Sequence, residues 1–286
     1  MEKTIEKAQI LIEALPYIKR FSGKIVVVKY GGSAMTEEHI KEWVIQDIVL
    51  MKLVGMKPVV VHGGGNAIST MLKRLGKETS FVKGLRVTDR ETAEIAEMVL
   101  SGYINKQLVQ SIQNHGINAA GINAKDGSTL VAAKKLVDGE DVGFVGSVTK
   151  VNLNLLNALI ENEFIPVIAP VGTDADGNTY NINADYAAAS IAGALQAEKL
   201  FFLTDVEGIL KDVDDPGSII RRITVAEAQH FIKEGIISGG MIPKTHCCIQ
   251  GIQEGVKTVH ILDGRIEHSM LLEVYTDRGI GTMITQ

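Results

Sequence analysis

The stretch Ile25-Val26-Val27-Val28-Lys29-Tyr30-Gly31-Gly32-Ser33 constrains this chain more than any other. Four apolar, β-branched residues in a row predict a strand buried on both faces. A lysine stands where that strand should end. Two glycines follow, so the backbone can turn tightly and a ligand can approach bare amides. Ligands of open α/β sheets bind beyond the carboxyl ends of the strands. A fixed cation beside exposed N–H groups at that edge suits a phosphate. Taken alone, the stretch is better described as a strand end, an exposed lysine and a glycine turn. The rest of the chain reverses that preference.

A second unit of the same kind follows. Lys57–His62 predicts a strand, Gly63-Gly64-Gly65-Asn66 a turn, and a helix then runs through Leu75. Between the two strands, Thr36, Glu37 and Glu38 predict a helix start, with the helix running to about Leu53 and closed by Gly55. Two βα units with glycines at the strand ends predict a parallel sheet with helices on its faces. With 286 residues the chain is one large domain or two ordinary ones, and 45% hydrophobic content allows a sizeable core. A net charge of -5 gives no reason to expect nucleic acid, so an anionic ligand has to be met by a few placed lysines. Cys247 and Cys248 are neighbours with neither a disulfide framework nor metal-ligand spacing, which predicts packing residues on a helix and a reducing, cytoplasmic compartment. Glu2, Glu6 and Glu13 argue against a signal peptide, and no apolar run is long enough to cross a bilayer.

Residues 2–20 predict an amphipathic helix with Ile5, Ala8, Ile12 and Leu15 on one face, kinked or restarted at Pro16. Phe81–Val87 predicts a hairpin around Lys83-Gly84, followed by a helix from Thr88-Asp89 that Gly102 separates from another ending near His115-Gly116. From Ile117 to Lys150, short antiparallel strands are expected, then a helix over 152–162 and a strand over 164–169. The turn residues Gly172–Asn178 suggest a domain boundary. Beyond it come an alanine-rich helix opened by Asn181–Asp185, a strand over 199–205, helices over 224–234 and 241–254, and a strand over 257–262. A short helix over 267–274 and an edge strand near 281–284 complete the chain.

Five stretches carry chemistry: Lys29-Tyr30-Gly31-Gly32, His62–Asn66, Gly84–Thr88, Asn181–Asp185 and Gly239–Lys244. Each falls at a strand end, loop or helix start. Neither G-x-x-x-x-G-K-[ST] nor G-x-G-x-x-G is present, which excludes a P-loop and disfavours a dinucleotide site. Phosphoryl transfer needs charge neutralisation and in-line placement. Lys29 and Lys244, from distant segments, can approach a phosphoryl group from two sides, and a buried Asp185 between them can hold both ammonium groups. Singly, each lysine reads as a surface charge, Asp185 as a first-turn acid and Arg86 as a hairpin arginine; only the combination favours function. His62 is the one nearby base candidate, and a histidine at a strand end is more often a structural hydrogen-bonder. A carboxylate nucleophile, already ionised at neutral pH, needs no base.

In order and spacing, these five stretches resemble the amino acid kinase family, from Lys24 to Ile284. HGGG together with GLRVT and NINAD is the specific part. Within the family the chain is similar to the arginine-inhibited, hexameric branch whose acceptor is N-acetyl-L-glutamate. The resemblance implies a three-layer αβα sandwich with a mostly parallel central sheet and two lobes. It implies that residues 1–22 form a kinked helix for oligomerisation and regulation, residues 23–178 the amino-acid lobe, and residues 179–286 the ATP lobe with the arginine segment. It implies that Lys29 and Lys244 stabilise the transferring group and that Asp185 orients them. Gly64, Gly65, Arg86 and Asn181 then bind the amino-acid substrate. The same resemblance implies that Gly31, Gly32, Thr204, Asp205, Gly208, Leu210 and Lys211 surround ATP, with its Mg2+ held mainly by the phosphates. Lys199, His260, Glu273 and Gly279 match an arginine site. A homohexamer built as a trimer of dimers is implied, and a nitrogen-signalling regulatory protein is a further partner of such enzymes. Relatives usually have glycine where Ala124 stands. Aspartate, glutamate 5-, carbamate and uridylate kinases are the rivals within the class. The first two usually carry an extra C-terminal domain, and the other two lack GLRVT with NINAD. A non-catalytic amino-acid or nucleotide sensor on the same fold is the rival outside it, although such a sensor would be marked by loss of a lysine.

Overall fold

The computed structural model describes residues 2–35, 37–276 and 279–286. Helix α1 (Glu2–Phe21) continues through Pro16 and does not restart there. Strand β1 (Ile25–Tyr30) leads through a single 3₁₀ turn into α2 (Glu38–Leu53). Glu37 occupies the N-cap of α2 without a side-chain bond, and the expected cap Thr36 lies outside the described residues. The second unit, β2 (Lys57–His62) and α3 (Gly65–Arg74), falls close to its expected bounds. β3 (Phe81–Val82) and β4 (Leu85–Arg86) form the expected hairpin. Its turn is made at Lys83 and Gly84, both at positive φ (48° and 79°), the backbone that a two-residue hairpin turn demands.

Gly102 does not separate two helices. α4 (Arg90–Glu97), capped by the Asp89 carboxylate on the Thr92 N–H, runs into a π-helical stretch (Met98–Ile104) and on into α5 (Asn105–Gln113). The reason lies in the buried stripe: Thr92, Ala96, Leu100, Ile104, Leu108 and Ile112 are all buried. A strict step of four drifts around a helix of 3.6 residues per turn. The wider π turns absorb that drift and keep the stripe on the sheet. Gly102 itself faces solvent, with open space where a Cβ would sit.

In the glycine-rich region the expected antiparallel strands are β6 (Leu130–Val137) and β7 (Glu140–Val151), longer than expected and joined as one hairpin, whereas β5 (Ala119–Asn123) departs from expectation and joins the central sheet in parallel. α6 (Asn154–Glu161), β8 (Ile165–Ala169), β9 (Val171–Thr173) and β10 (Thr179–Ile182) follow. β6, β7, β9 and β10 close into a small barrel. The remaining elements are α7 (Ala184–Ala194), β11 (Lys199–Thr204), β12 (Arg222–Thr224), α8 (Val225–Lys233), α9 (Met241–Gln253), β13 (Thr258–Asp263), α10 (Ser269–Val274) and β14 (Thr282–Thr285).

The central sheet has eight strands in the order β12-β14-β13-β11-β1-β2-β8-β5. β13, β11, β1, β2, β8 and β5 run parallel to one another, and β14 runs antiparallel to β13. β14 is not the edge: β12 pairs outside it. Alternate residues of each strand enter two separate cores, as a period of two requires. Val27, Val59, Ile168, Phe202 and Ile261 pack with α7 and α9, while Val26, Val28, Val60, Val167 and Phe201 pack with α2 and α5. The result is a three-layer αβα sandwich. Each fully buried aliphatic side chain contributes roughly 1.5–3 kcal/mol to holding it. Cys247 and Cys248 are buried in α9 as packing residues, and burial pushes the Cys247 thiol up to about 12. Among the described residues, no helix is long and apolar enough to cross a membrane.

Candidate active site

The period of two that buries Val27 beside α7 sends Lys29 to the same face. α7 begins there because the Asn183 side chain caps it, accepting from the Asp185 N–H at 2.9 Å. Asp185 is therefore in the first turn, and Lys244 is in the first turn of neighbouring α9. Lys29 Nζ lies 2.8 Å from Asp185 Oδ1 and Lys244 Nζ 2.9 Å from Oδ2. Burial pushes the Asp185 carboxyl up, but the two ammonium groups outweigh it and hold it at about 2. Burial opposes the Lys244 charge as well, and Asp185 overcomes that to raise its pKa. One ionised carboxylate thus sets the spacing of two cations at the carboxyl edge of the sheet.

An inner cleft of about 240 Å³ opens on one side of this triad, lined by Lys29, Gly32, Gly64, Gly65, Arg86 and Asn181 among others. Arg86 is buried against the Phe81 ring, 4.7 Å from its centroid. Its Nη2 donates to Gly65 O (2.9 Å) and Ser69 Oγ (2.7 Å), while Nη1 is buried with no hydrogen-bond partner among the described residues. A guanidinium anchored at one nitrogen, with another unpaired, suits an incoming carboxylate. Gly31 sits where a Cβ would come 3.0 Å from Lys29 Nζ, so a side chain there would crowd the ammonium group.

On the other side is an outer groove of about 600 Å³, lined by Thr204, Asp205, Gly208, Leu210, Met241 and Lys244 among others. Lys211 is not part of that lining; it is exposed beside the groove, its N–H donating to Ser218 O. Lys244 lines the groove and Asp185 lines the cleft, so the triad stands where the two spaces meet. Among the described residues, no group of three or more His, Cys, Asp or Glu could hold a metal ion.

Lys199, His260, Glu273 and Gly279 also come together, on the opposite face of the sheet. Lys199 Nζ is 3.1 Å from His260 Nε2, and His260 Nδ1 is 2.8 Å from Glu273 Oε1. Glu273 Oε2 accepts from the Ile280 N–H at 2.7 Å, and a Cβ on Gly279 would fall 2.6 Å from that oxygen. Burial lowers His260 to about 4 and Lys199 to about 8. The Lys199 ammonium is 5.1 Å from the ring centroid of Phe21, at the end of α1. Ala124 is buried without strain: its N–H donates to Ala169 O and its carbonyl accepts from Leu130 N–H.

The sequence did not single out Ser69 or Lys135. Ser69 lies one helical turn after Gly65, which is the only signal that it could meet Arg86. Lys135, from the β6–β7 hairpin, lies 4.2 Å from the centre of the Tyr186 ring above a wider opening of about 820 Å³ that Lys244 also lines.

The chain is 57% identical to an acetylglutamate kinase of Thermoanaerobacter pseudethanolicus over 280 residues, covering 98% of this chain and 93% of that protein. It is 54% identical to an acetylglutamate kinase of Heliobacterium modesticaldum, covering 99% of each. Among solved structures, the N-acetylglutamate synthase of Neisseria gonorrhoeae complexed with coenzyme A and N-acetyl-glutamate superposes with a TM-score of 0.86 at 26% identity, covering 98% of this chain but only 63% of that one. The carbamate kinase of Giardia lamblia, at 18% identity and a TM-score of 0.67, shares the fold over 92% of this chain and 98% of its own. The sequence model of the amino acid kinase family matches residues 24–263, the span that holds all three residues of the triad. With that match and with relatives more than half identical along its length, the chain belongs to the amino acid kinase family.

Proposed function

We propose that the chain transfers the γ-phosphoryl group of ATP to the γ-carboxylate of N-acetyl-L-glutamate, a step of arginine biosynthesis. It is an enzyme, a phosphotransferase with a carboxyl group as acceptor. The observation that carries the reading is Asp185 clamped between Lys29 and Lys244 at the junction of cleft and groove. The inner cleft takes the acceptor. Arg86 holds its α-carboxylate with the nitrogen left free, Asn181 binds its backbone-like atoms, and Gly64 and Gly65 offer amides to the reacting carboxylate. The outer groove takes the nucleotide, with Thr204, Asp205, Gly208 and Leu210 around it, and its terminal phosphate reaches past the triad toward Gly31 and toward Gly32 in the lining of the inner cleft. Lys29 and Lys244 neutralise charge that builds on the transferring group, which is where fixed cations lower the barrier most. Mg2+ rides on the ATP phosphates. No base is required, because the nucleophile is already an anion. Residues 23–178 serve as the acceptor lobe and 179–286 as the nucleotide lobe, in the cytoplasm.

The second part of the proposal is feedback by L-arginine at Lys199, His260, Glu273 and Gly279, in a hexamer joined through α1. Ile5, Leu11, Ile12 and Leu15 of that helix are 52–70% exposed and fall on one apolar face, while the exposed Ile10 lies on the other side. The test of the reaction is hydroxylamine trapping of the acyl phosphate with ATP and a panel of acceptors: N-acetylglutamate, glutamate, aspartate, carbamate and uridylate. Trapped product with N-acetylglutamate above all others is the expected result. Turnover of another acceptor in preference, or ATP binding without turnover of any, overturns it.

A further inference from the structure

His62 and Asn105 are fully buried polar residues beside the Gly63–Gly65 loop that the reaction above does not use. His62 Nδ1 lies 2.9 Å from its neighbour's carbonyl, Gly63 O. A carbonyl can only accept, so Nδ1 carries the proton. Nε2 is then bare, and it lies 3.2 Å from Asn105 Nδ2, a donor. The same amide nitrogen donates to Val167 O at 2.8 Å, and Asn105 Oδ1 accepts from Lys106 Nζ at 3.2 Å, so the orientation of the asparagine is itself fixed. Burial holds the imidazole down at about 4, which keeps this neutral form at physiological pH. The Gly63 N–H donates to Tyr30 O at 2.7 Å, tying the loop to β1 next to Lys29. On its other side the loop is walled by the π-helical stretch: a Cβ on Gly64 would meet Leu100 and Ile104 at 2.5 and 2.4 Å.

In a planar trans peptide, the carbonyl and the following N–H point in opposite directions. Holding Gly63 O toward His62 therefore aims the Gly64 N–H away from it. Gly64 begins the turn into α3, so its amide has no helical acceptor, and Gly64 lines the inner cleft with Lys29. We propose that His62, held in one tautomer by Asn105, is a positioning residue that sets the Gly63–Gly64 peptide so that the Gly64 amide donates to the phosphoryl acceptor. This deepens the kinase reading and rests on it. The π stretch serves the same end, since it places Leu100, Ile104 and Asn105 together against one loop.

Two substitutions separate positioning from packing in the full-length chain. In His62→Asn the amide nitrogen replaces Nδ1 and can still donate to Gly63 O. In His62→Gln the amide nitrogen replaces Nε2 and cannot. Both lose the imidazole and are expected to lower the melting temperature by similar amounts. His62→Gln is expected to reduce kcat/KM for N-acetylglutamate by about 100-fold, the scale of one lost oxyanion donor, with His62→Asn within about fivefold of wild type. The KM for ATP should stay within about twofold in both. Equal losses in the two variants, or losses that track melting temperature, overturn the proposal. ¹⁵N NMR of the wild-type histidines gives a readout without activity or mutation. His62 should show a protonated Nδ1 and a bare Nε2 from pH 6 to 8; a protonated Nε2 overturns the assignment. If the wild-type chain traps no acyl phosphate while the NMR shows the expected tautomer, it is the kinase reading that fails, not the geometry of the loop.

Discussion

Asp185 is the side chain on which the charge balance of the site turns. It is buried, ionised and bonded to a lysine at each oxygen. Removing either cation removes charge aimed at the transferring group. Lys29→Ala and Lys244→Ala should each lower kcat by about 100-fold or more, with circular dichroism unchanged. Wild-type turnover in both would take the lysines out of the mechanism. Arg86 makes a different prediction. Its planar fork holds Gly65 and Ser69 through one nitrogen and leaves another for substrate, which lysine cannot imitate even though charge is kept. Arg86→Lys should raise the KM for N-acetylglutamate and leave the KM for ATP nearly unchanged. Equal damage to both constants would mark Arg86 as a support of the fold.

The π-helical stretch and α1 are the segments whose sequence and structure disagree most usefully. Glycine normally weakens a helix by about 0.5–1 kcal/mol relative to alanine. Gly102 is exposed, has no positive φ and has open space at its Cβ position. Gly102→Ala should therefore stabilise the chain by about 0.4–1 kcal/mol in urea titration. A loss of stability would show that the wide turn itself needs glycine. α1 presents an apolar face to solvent, and a helix of this length is marginal without something to pack on. Deleting residues 1–22 should convert hexamers to active dimers in sedimentation and weaken the arginine response. A full-length chain that sediments as a dimer would remove the helix from assembly. The strands, by contrast, were legible directly: the β-branched runs at 25–28 and 59–61 predict strands buried on both faces, and Val26–Val28 and Val59–Val61 are buried. The step-of-four stripe from Thr92 to Ile112 was also present in the sequence, but a glycine in its middle hid it.

One sheet separates two clusters, with Lys29 and Asp185 on one face and Lys199, His260 and Glu273 on the other. Glu273 already bonds His260 and the Ile280 N–H, so a guanidinium arriving there has to compete for a carboxylate in use. Arginine can inhibit from this site only by binding one arrangement of the lobes more tightly than another. Glu273→Ala should keep the hexamer and abolish inhibition; full inhibition in that variant would move the site elsewhere. The same burial predicts acid sensitivity of the fold. His62 and His260 sit near 4 when folded and near 6.5 when unfolded, so the unfolded chain takes up more protons in that window. Their neutral burial is compatible with folding above about 6.5, and stability is lost as pH falls toward 4. Asp47, bonded to His268, works the other way: burial raises its carboxyl to about 6, so the folded state binds the extra proton below that. Two histidines against one aspartate leave a net fall. The urea midpoint should therefore drop between pH 7 and pH 5, and a flat or rising midpoint would contradict the buried neutral histidines.

What local sequence could establish was whatever depends on neighbours along the chain. Strand runs, glycine turns, the hairpin at Lys83-Gly84, the caps Asp89 and Thr224 and the lysine at the end of β1 are all decided within a few residues. That Lys29 and Lys244 stand 215 positions apart and still share one carboxylate could only be suspected from their company; the parallel register of β1 with β11 and the packing of α7 on α9 bring them together. The same holds for β5, whose alanine and glycine content gave no sign that it would join the central sheet, because its pairing with β8 is made over some forty residues. Asn105 is the clearest case. Nothing within the α4–α5 helix marks it, since its partners His62, Ile122 and Val167 lie on three different strands, and a buried amide acquires its meaning only where those strands lie side by side.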